Sequence, residues 1–146
     1  IIHHSEREKC FKESLSESKK KLEQAIKAGL IPILCVGDTK EEHDQGKTLE
    51  SIKEQLSFFL EGQSYDSLLI AYEPIYAIGT GDVPENKEIE KVLSMIKEHY
   101  SYPVLYGGSV NEENVLLLKQ IKGLDGFLLG GISLDLKALQ TLCDRL

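Results

Sequence analysis

At 146 residues, with 41% apolar and 28% charged residues, the chain has the make-up of a folded globular protein with one core of ordinary size rather than a disordered segment. A formal net charge of -7 leaves no basic stripe to neutralise a nucleic-acid backbone, which excludes nucleic acid as an expected partner. A small phosphorylated ligand stays open, because backbone N–H groups hold phosphate without Lys or Arg. No apolar run approaches the roughly 20 residues of a membrane span, so no membrane partner is expected. The start, Ile1-Ile2-His3-His4-Ser5-Glu6, lacks the basic and long apolar regions of a signal peptide. Three cysteines, Cys10, Cys35 and Cys143, without CxxC spacing, read as free thiols in a reducing compartment. The chain opens on Ile1, and its single Met is Met95, from which a piece of a longer protein, or a processed one, is expected.

Short apolar runs alternate with amphipathic helical segments along the chain. Ile1-Ile2 reads as the stump of a strand. A first helix carries Leu15, Leu22, Ile26 and Leu30 on one face, with Gly29 as its stop signal. The run 31–36 is a strand. A second helix shows Leu49, Ile52, Leu56 and Phe59 at helical spacing, and 68–72 is the next strand. Pro84 and Asn86 start a third helix marked by Ile89, Val92, Leu93, Ile96 and Tyr100. The strand 103–106 precedes a fourth helix with Val115, Leu118 and Ile121, capped by Asn111 and stopped by Gly123. A last strand, 125–129, leads into a helix with Leu136, Leu139 and Leu142. The strands are apolar throughout rather than alternating, as expected where both faces of a parallel sheet are covered. Four strands, a stump and about five helices therefore predict an α/β fold in one domain, 1–146, built of βα units. A doubly wound sheet and part of a (β/α)8 barrel both fit that repeat.

The chemistry concentrates in the loops that follow the strands. The densest is Ala71-Tyr72-Glu73-Pro74-Ile75-Tyr76-Ala77-Ile78-Gly79-Thr80-Gly81. It puts a carboxylate at a strand end, followed by a stiff proline, a short apolar stretch and a Gly-Thr-Gly hinge. A base with a closable lid behind it suits proton abstraction away from water. Alone, without the lid, Glu73 fits an ordinary strand-end ion pair better than catalysis. Tyr106-Gly107-Gly108-Ser109 and Gly130-Gly131-Ile132-Ser133 supply glycine turns through which backbone N–H groups can approach a ligand, although Gly-Gly turns are also common structural devices. His4-Ser5-Glu6-Arg7 follows the strand stump. His43 and His99, in polar surroundings, read as surface residues, Cys35 as packing, and Lys19-Lys20-Lys21 as a solvated face.

Taken together, these loops resemble the triosephosphate isomerase family. The resemblance rests on His4-Ser5-Glu6-Arg7, the whole 71–81 run, Tyr106-Gly107-Gly108-Ser109 and Gly126-Phe127-Leu128-Leu129-Gly130-Gly131, with Ile31-Pro32-Ile33-Leu34-Cys35-Val36-Gly37 matching the family's fifth strand. It runs from the end of the family's fourth strand through its eighth helix, so it implies an incomplete (β/α)8 TIM barrel of about the last five βα units. It further implies a glycolytic and gluconeogenic isomerase of the cytoplasm, acting on a phosphorylated triose without cofactor or metal. Glu73 would be the base that moves a proton between the carbons flanking the carbonyl, and His4 the neutral electrophile that polarises the carbonyl oxygen. That pairing is a known property of the family rather than a reading of this sequence. Glu6 would belong with these catalytic residues, standing behind the site near the family's lysine. Gly79, Ser109, Gly130 and Gly131 would offer main-chain N–H groups to the phosphate, and the lid 74–80 would keep water from the enediolate. The first three βα units, with the family's Asn-x-Lys motif, and the loop that crosses to the partner subunit have no counterpart here. Either the missing N-terminal part of the barrel or a homo-oligomer is therefore the expected partner. The alternative implied is a non-catalytic half-barrel that binds phosphate or self-associates. His3 stands where the family usually has Gly, Glu8 for Arg, Asp38 for Glu and Tyr76 for Trp, and 82–84 is shorter than usual.

Overall fold

The structure, a computed structural model, describes residues 1–78 and 83–146. Four strands, β1 (Ile33–Val36), β2 (Leu69–Tyr72), β3 (Val104–Tyr106) and β4 (Gly126–Phe127), form one parallel sheet in the order β1-β2-β3-β4. Register pairs Cys35 with Ala71, Ala71 with Leu105, and Leu105 with Gly126. Strictly sequential order, with no point at which the winding reverses, decides between the two architectures the sequence leaves open. A doubly wound sheet has a switch point, whereas a barrel adds each strand beside the last. The strand stump is also confirmed. Ile2 bridges Leu34 in parallel, donating its N–H to the Ile33 carbonyl at 2.8 Å and accepting from the Cys35 N–H at 2.9 Å.

The helices are α1 (Ser5–Phe11), α2 (Leu15–Lys27), α3 (Lys40–Asp44), α4 (Thr48–Leu60), α5 (Asn86–His99), α6 (Val115–Leu118) and α7 (Leu136–Arg145). α4 and α5 do most of the covering. Ile52, Leu56 and Phe59 from α4, and Ile89, Val92, Leu93 and Ile96 from α5, join Leu34, Ile70, Val104 and Tyr106 in one buried cluster. Each fully buried Leu, Ile or Phe contributes on the order of 1.5–3 kcal/mol relative to exposure.

α1 and α3 were not expected. Neither buries a residue, so neither shows apolar periodicity. α3 does carry a capping signature: the Thr39 hydroxyl accepts from the Glu42 N–H, and the Glu42 carboxylate accepts from the Thr39 N–H at 2.7 Å. α2 ends at Lys27 and Gly29 takes φ +73°, so the chain turns before Leu30, which is 62% exposed rather than on the buried face. α6 starts later than predicted. Asn111 Oδ1 accepts from the Glu113 and Asn114 N–H groups and so caps the turn before the helix, whose own first flank is Asn114. β4 covers two residues of the five expected, and further along the chain the large apolar side chains of Leu134 and Leu136 stay exposed.

A buried carboxylate ties α1 to α2. Glu13 accepts from Arg7 Nε at 2.9 Å, Lys21 Nζ at 2.5 Å and Ser18 Oγ at 2.8 Å. Lys21 first, then Arg7 and Ser18, hold its pKa down to about 2, from an ordinary 4.5, against the opposing effect of burial. Because the folded pKa lies below the unfolded one, the resulting stability is complete above pH 4.5 and is lost as pH falls towards 2. Glu13→Gln should lower the melting temperature by several degrees at pH 7, with the difference from the unaltered protein vanishing near pH 2 in a calorimetric series. An equal difference at both pH values would refute the assignment.

Candidate functional site

The C-terminal ends of the strands converge on Glu73. Its backbone is gripped from the β1 side: the Glu73 N–H donates to the Val36 carbonyl at 2.8 Å, and the Ile75 N–H donates to the Asp38 carbonyl at 3.0 Å. Between those two anchors Gly37 passes so close that a Cβ there would lie 1.8 Å from the Glu73 carbonyl oxygen. On the β3 side a Cβ at Gly107 would lie 3.0 Å from Glu73 Cγ. Glycine is thus required at position 37 by proximity alone, and at position 107 any side chain would press on Glu73. The sequence reading passed over Gly37 and Gly107 as site residues; the signal available was that each directly follows a strand next to the Glu73 strand. The carboxylate so held is only 2% exposed. Its Oε2 accepts from the Ser5 N–H at 3.4 Å, and its Oε1 has no well-aligned hydrogen-bond donor among the described residues.

Oε1 faces His4, whose Nε2 is 3.0 Å away. His4 is the residue that caps α1, and the Glu6 N–H donates to its Nδ1 at 3.3 Å. An Nδ1 that accepts carries no proton, so neutral His4 holds its proton on Nε2, the nitrogen turned towards Glu73. Contact with the Glu73 carboxylate raises the His4 pKa above its ordinary value, partly opposed by burial. The N–H of Glu6 acts against a second proton at Nδ1. The residue before, His3, adopts φ +60°, a left-handed angle that favours glycine, with its ring tilted against Phe59 at 5.1 Å between centroids. The turn in front of His4 is therefore of the glycine type even with His in place.

Six of the seven residues singled out from the sequence line one cleft of about 600 Å³: His4, Glu6, Glu73, Ser109, Gly130 and Gly131. The seventh, Gly79, lies outside the described residues, as does the 79–80 part of the stretch read as a lid. Glu6 is exposed at the cleft's rim, and its structural tie to the site is its backbone N–H on His4. The N–H groups of Ser109, Gly130 and Gly131 have no hydrogen-bond partner among the described residues. No Lys or Arg is among the described residues that line the cleft. Ser109 Oγ donates to the Ala77 carbonyl at 2.7 Å, which joins the third loop to the short 3-10 helix Ile75–Ala77 behind Glu73. A larger cavity, about 720 Å³, opens among Tyr65, His99, Tyr100 and Tyr102 at the strands' N-terminal ends. That is the face of such folds associated with stability rather than chemistry.

Behind Glu73 lies a polar cluster. Asp38 is fully buried and accepts from Thr48 Oγ1 at 2.6 Å and from the Tyr72 hydroxyl at 3.1 Å. Burial raises its pKa, and the two hydroxyls oppose the rise. His43, expected on the surface, is instead half-buried, stacked on Tyr76 at 4.4 Å with Nδ1 3.7 Å from Asp38. Its polar neighbours in sequence concealed that its ring covers a tyrosine from another loop. Cys35 is buried with its thiol pKa pushed up, chiefly by burial, which leaves it inert as expected; Cys10 and Cys143 are free thiols on the surface. Among the described residues no group of three or more His, Cys, Asp or Glu is placed to hold a metal ion.

Sequential parallel strands, outer helices and a carboxylate–imidazole pair at the strands' C-terminal ends make this a segment of a (β/α)8 barrel. The family profile described as Triosephosphate isomerase matches residues 1–146. The triosephosphate isomerase of Mesomycoplasma hyopneumoniae strain 7448 is 45% identical over 137 residues, covering 92% of this chain and 57% of that protein. That of Gloeobacter violaceus is 43% identical over 141 residues, covering 94% and 59%. The crystal structure of triosephosphate isomerase from Bartonella henselae superposes with a TM-score of 0.86 at 32% identity, over 99% of this chain and 62% of that one. The chain belongs to the triosephosphate isomerase family. It spans about three fifths of the length of the relatives it matches.

Proposed function

We propose that this chain carries the base, the electrophile and the phosphate-facing loops of a triosephosphate isomerase, and that it interconverts dihydroxyacetone phosphate and D-glyceraldehyde 3-phosphate within a completed barrel. The observation that carries this reading is the buried Glu73 carboxylate, 3.0 Å from the Nε2 of His4 in a cleft edged by unengaged N–H groups. Glu73 Oε1 takes a proton from the carbon beside the substrate carbonyl. His4 donates Nε2–H to the carbonyl oxygen as negative charge builds there. His4 gives its Nε2 proton to the former carbonyl oxygen and takes one back from the hydroxyl on the deprotonated carbon, and Glu73 returns its proton to the former carbonyl carbon, so the net change is redox-neutral and calls for no cofactor. Ser109, Gly130 and Gly131, with Gly79, hold the phosphate through their main-chain N–H groups. Glu6 sets the ring of His4 through its own N–H, and the segment 74–80 closes over the site. Residues 1–146 act as one partial barrel domain. The family's place in glycolysis and gluconeogenesis points to the cytoplasm, and no helix among the described residues is long and apolar enough to cross a membrane.

A second reading, a part-barrel that binds phosphate or pairs with another chain without turning over substrate, draws on two observations. Among the described residues no cation lines the cleft, and β4 pairs with no strand but β3. An unpaired edge is a template for association, either with the remainder of a barrel or with a second copy. A coupled assay of triose phosphate interconversion in both directions separates the two. Turnover supports the isomerase. Retained binding of inorganic phosphate with no turnover supports the part-barrel.

The phosphate assignment has its own test. A Cβ at Gly131 meets nothing within 4 Å, so Gly131→Asp is accommodated sterically while placing a carboxylate against the phosphate. KM should rise by at least about tenfold, with kcat changed far less, since like charges in a partly desolvated cleft repel strongly. A KM that does not move would remove Gly131 from the phosphate site.

A further inference from the structure

We infer that Gln55 is a positioning residue for proton transfer: its side chain fixes the strand end against which Glu73 is set. The inference rests on the isomerase reading above and adds to it a residue outside the cleft where that chemistry occurs. Gln55 lies in the middle of α4, half-buried, and its amide takes both backbone groups of one residue. Gly37 N–H donates to Gln55 Oε1 at 3.1 Å, and Gln55 Nε2 donates to the Gly37 carbonyl at 2.7 Å. A side chain that closes two bonds on one glycine stands in for a neighbouring strand, at the point where β1 has ended at Val36. The clamp is itself oriented. Gln55 Nε2 also donates to Ser51 Oγ at 3.1 Å, and Ser51 Oγ donates to Glu42 Oε1 at 2.8 Å.

What the clamp holds is the floor under the base. Gly37 sits between the two residues that anchor the Glu73 segment, Val36 and Asp38, and its Cα stands against the Glu73 carbonyl. No slack exists there, so any drift of Gly37 is passed to the Glu73 backbone and, along the side chain, to its carboxylate. Misplacing a reacting group by about 1 Å costs up to about a hundredfold in rate. The phosphate-facing loops at Ser109, Gly130 and Gly131 lie on the β3 and β4 side of the sheet and share no hydrogen bond with Gln55.

The test is steady-state kinetics of Gln55→Met, which keeps the length and removes both bonds, alone and combined with Glu73→Asp. A fall in kcat of about tenfold with KM within twofold is expected, measured well below the melting temperature. Because both changes act through the placement of one carboxylate, the double variant should lose less than the product of the two single losses. Gln55→Glu keeps the acceptor for the Gly37 N–H and loses the donor. It should fall between the unaltered protein and Gln55→Met, and it carries the same double-variant test if Gln55→Met does not fold. Unchanged kcat with a lowered melting temperature, or losses that multiply in full, would show a structural role only and overturn the inference. Absence of turnover in the unaltered protein would instead overturn the isomerase reading, and this inference with it.

Discussion

Glu73→Asp is expected to lower kcat by about 10²- to 10³-fold in both directions while leaving KM close to its original value. The substitution keeps the charge and removes one methylene, so the carboxylate retreats by about 1 Å from the carbon it must deprotonate. In a looser site the backbone could advance to compensate. Here it cannot. The Glu73 N–H is bonded to the Val36 carbonyl at 2.8 Å, the following Ile75 N–H to the Asp38 carbonyl at 3.0 Å, and the Glu73 carbonyl abuts the Cα of Gly37. The phosphate-facing N–H groups are not touched, which is why binding should survive. The coupled assay gives kcat and KM. Exchange of the substrate's carbon-bound hydrogen with solvent deuterium, followed by NMR, should slow in parallel, because it reports the proton abstraction itself. Unaltered turnover or unaltered exchange would remove Glu73 as the base.

The legible part of this molecule is the part that repeats or crowds. Four strands are visible as apolar runs because both faces are covered, and α4 and α5 as apolar stripes because each buries one face on the sheet. Helices α1 and α3 carry no such stripe, having no buried residue, and only a capping pair such as Thr39 with Glu42 marks the second of them. The site was legible as motifs, since the residues at the strand ends must approach one another: His4, Glu6, Glu73, Ser109, Gly130 and Gly131 indeed share a cleft. What a linear reading misses is anything that acts across strands without a motif of its own. Gln55 looks like a solvated residue of an amphipathic helix until its amide is found on Gly37, eighteen residues earlier. His43 looks like a surface residue until its ring is found on Tyr76. Leu134 and Leu136 point the other way. Their apolar side chains predict burial, yet nothing in the described chain covers them.

His4→Asn should separate two roles that the histidine now combines. His4 caps α1, and Asn is among the best capping residues, so the helix should keep its start and the melting temperature should change by no more than a few degrees. Asn does not extend as far as Nε2, which lies 3.0 Å from Glu73 Oε1, so the donor facing the reacting carbonyl is lost. Removing one donor of developing negative charge typically costs about 10²- to 10³-fold in kcat, and that loss is expected here with KM little changed. Contact with the Glu73 carboxylate raises the His4 pKa, and the Glu6 N–H occupies Nδ1, so the proton this variant loses is the one on Nε2. A variant that melts as before but turns over at the original rate would show that His4 serves α1 and not the reaction.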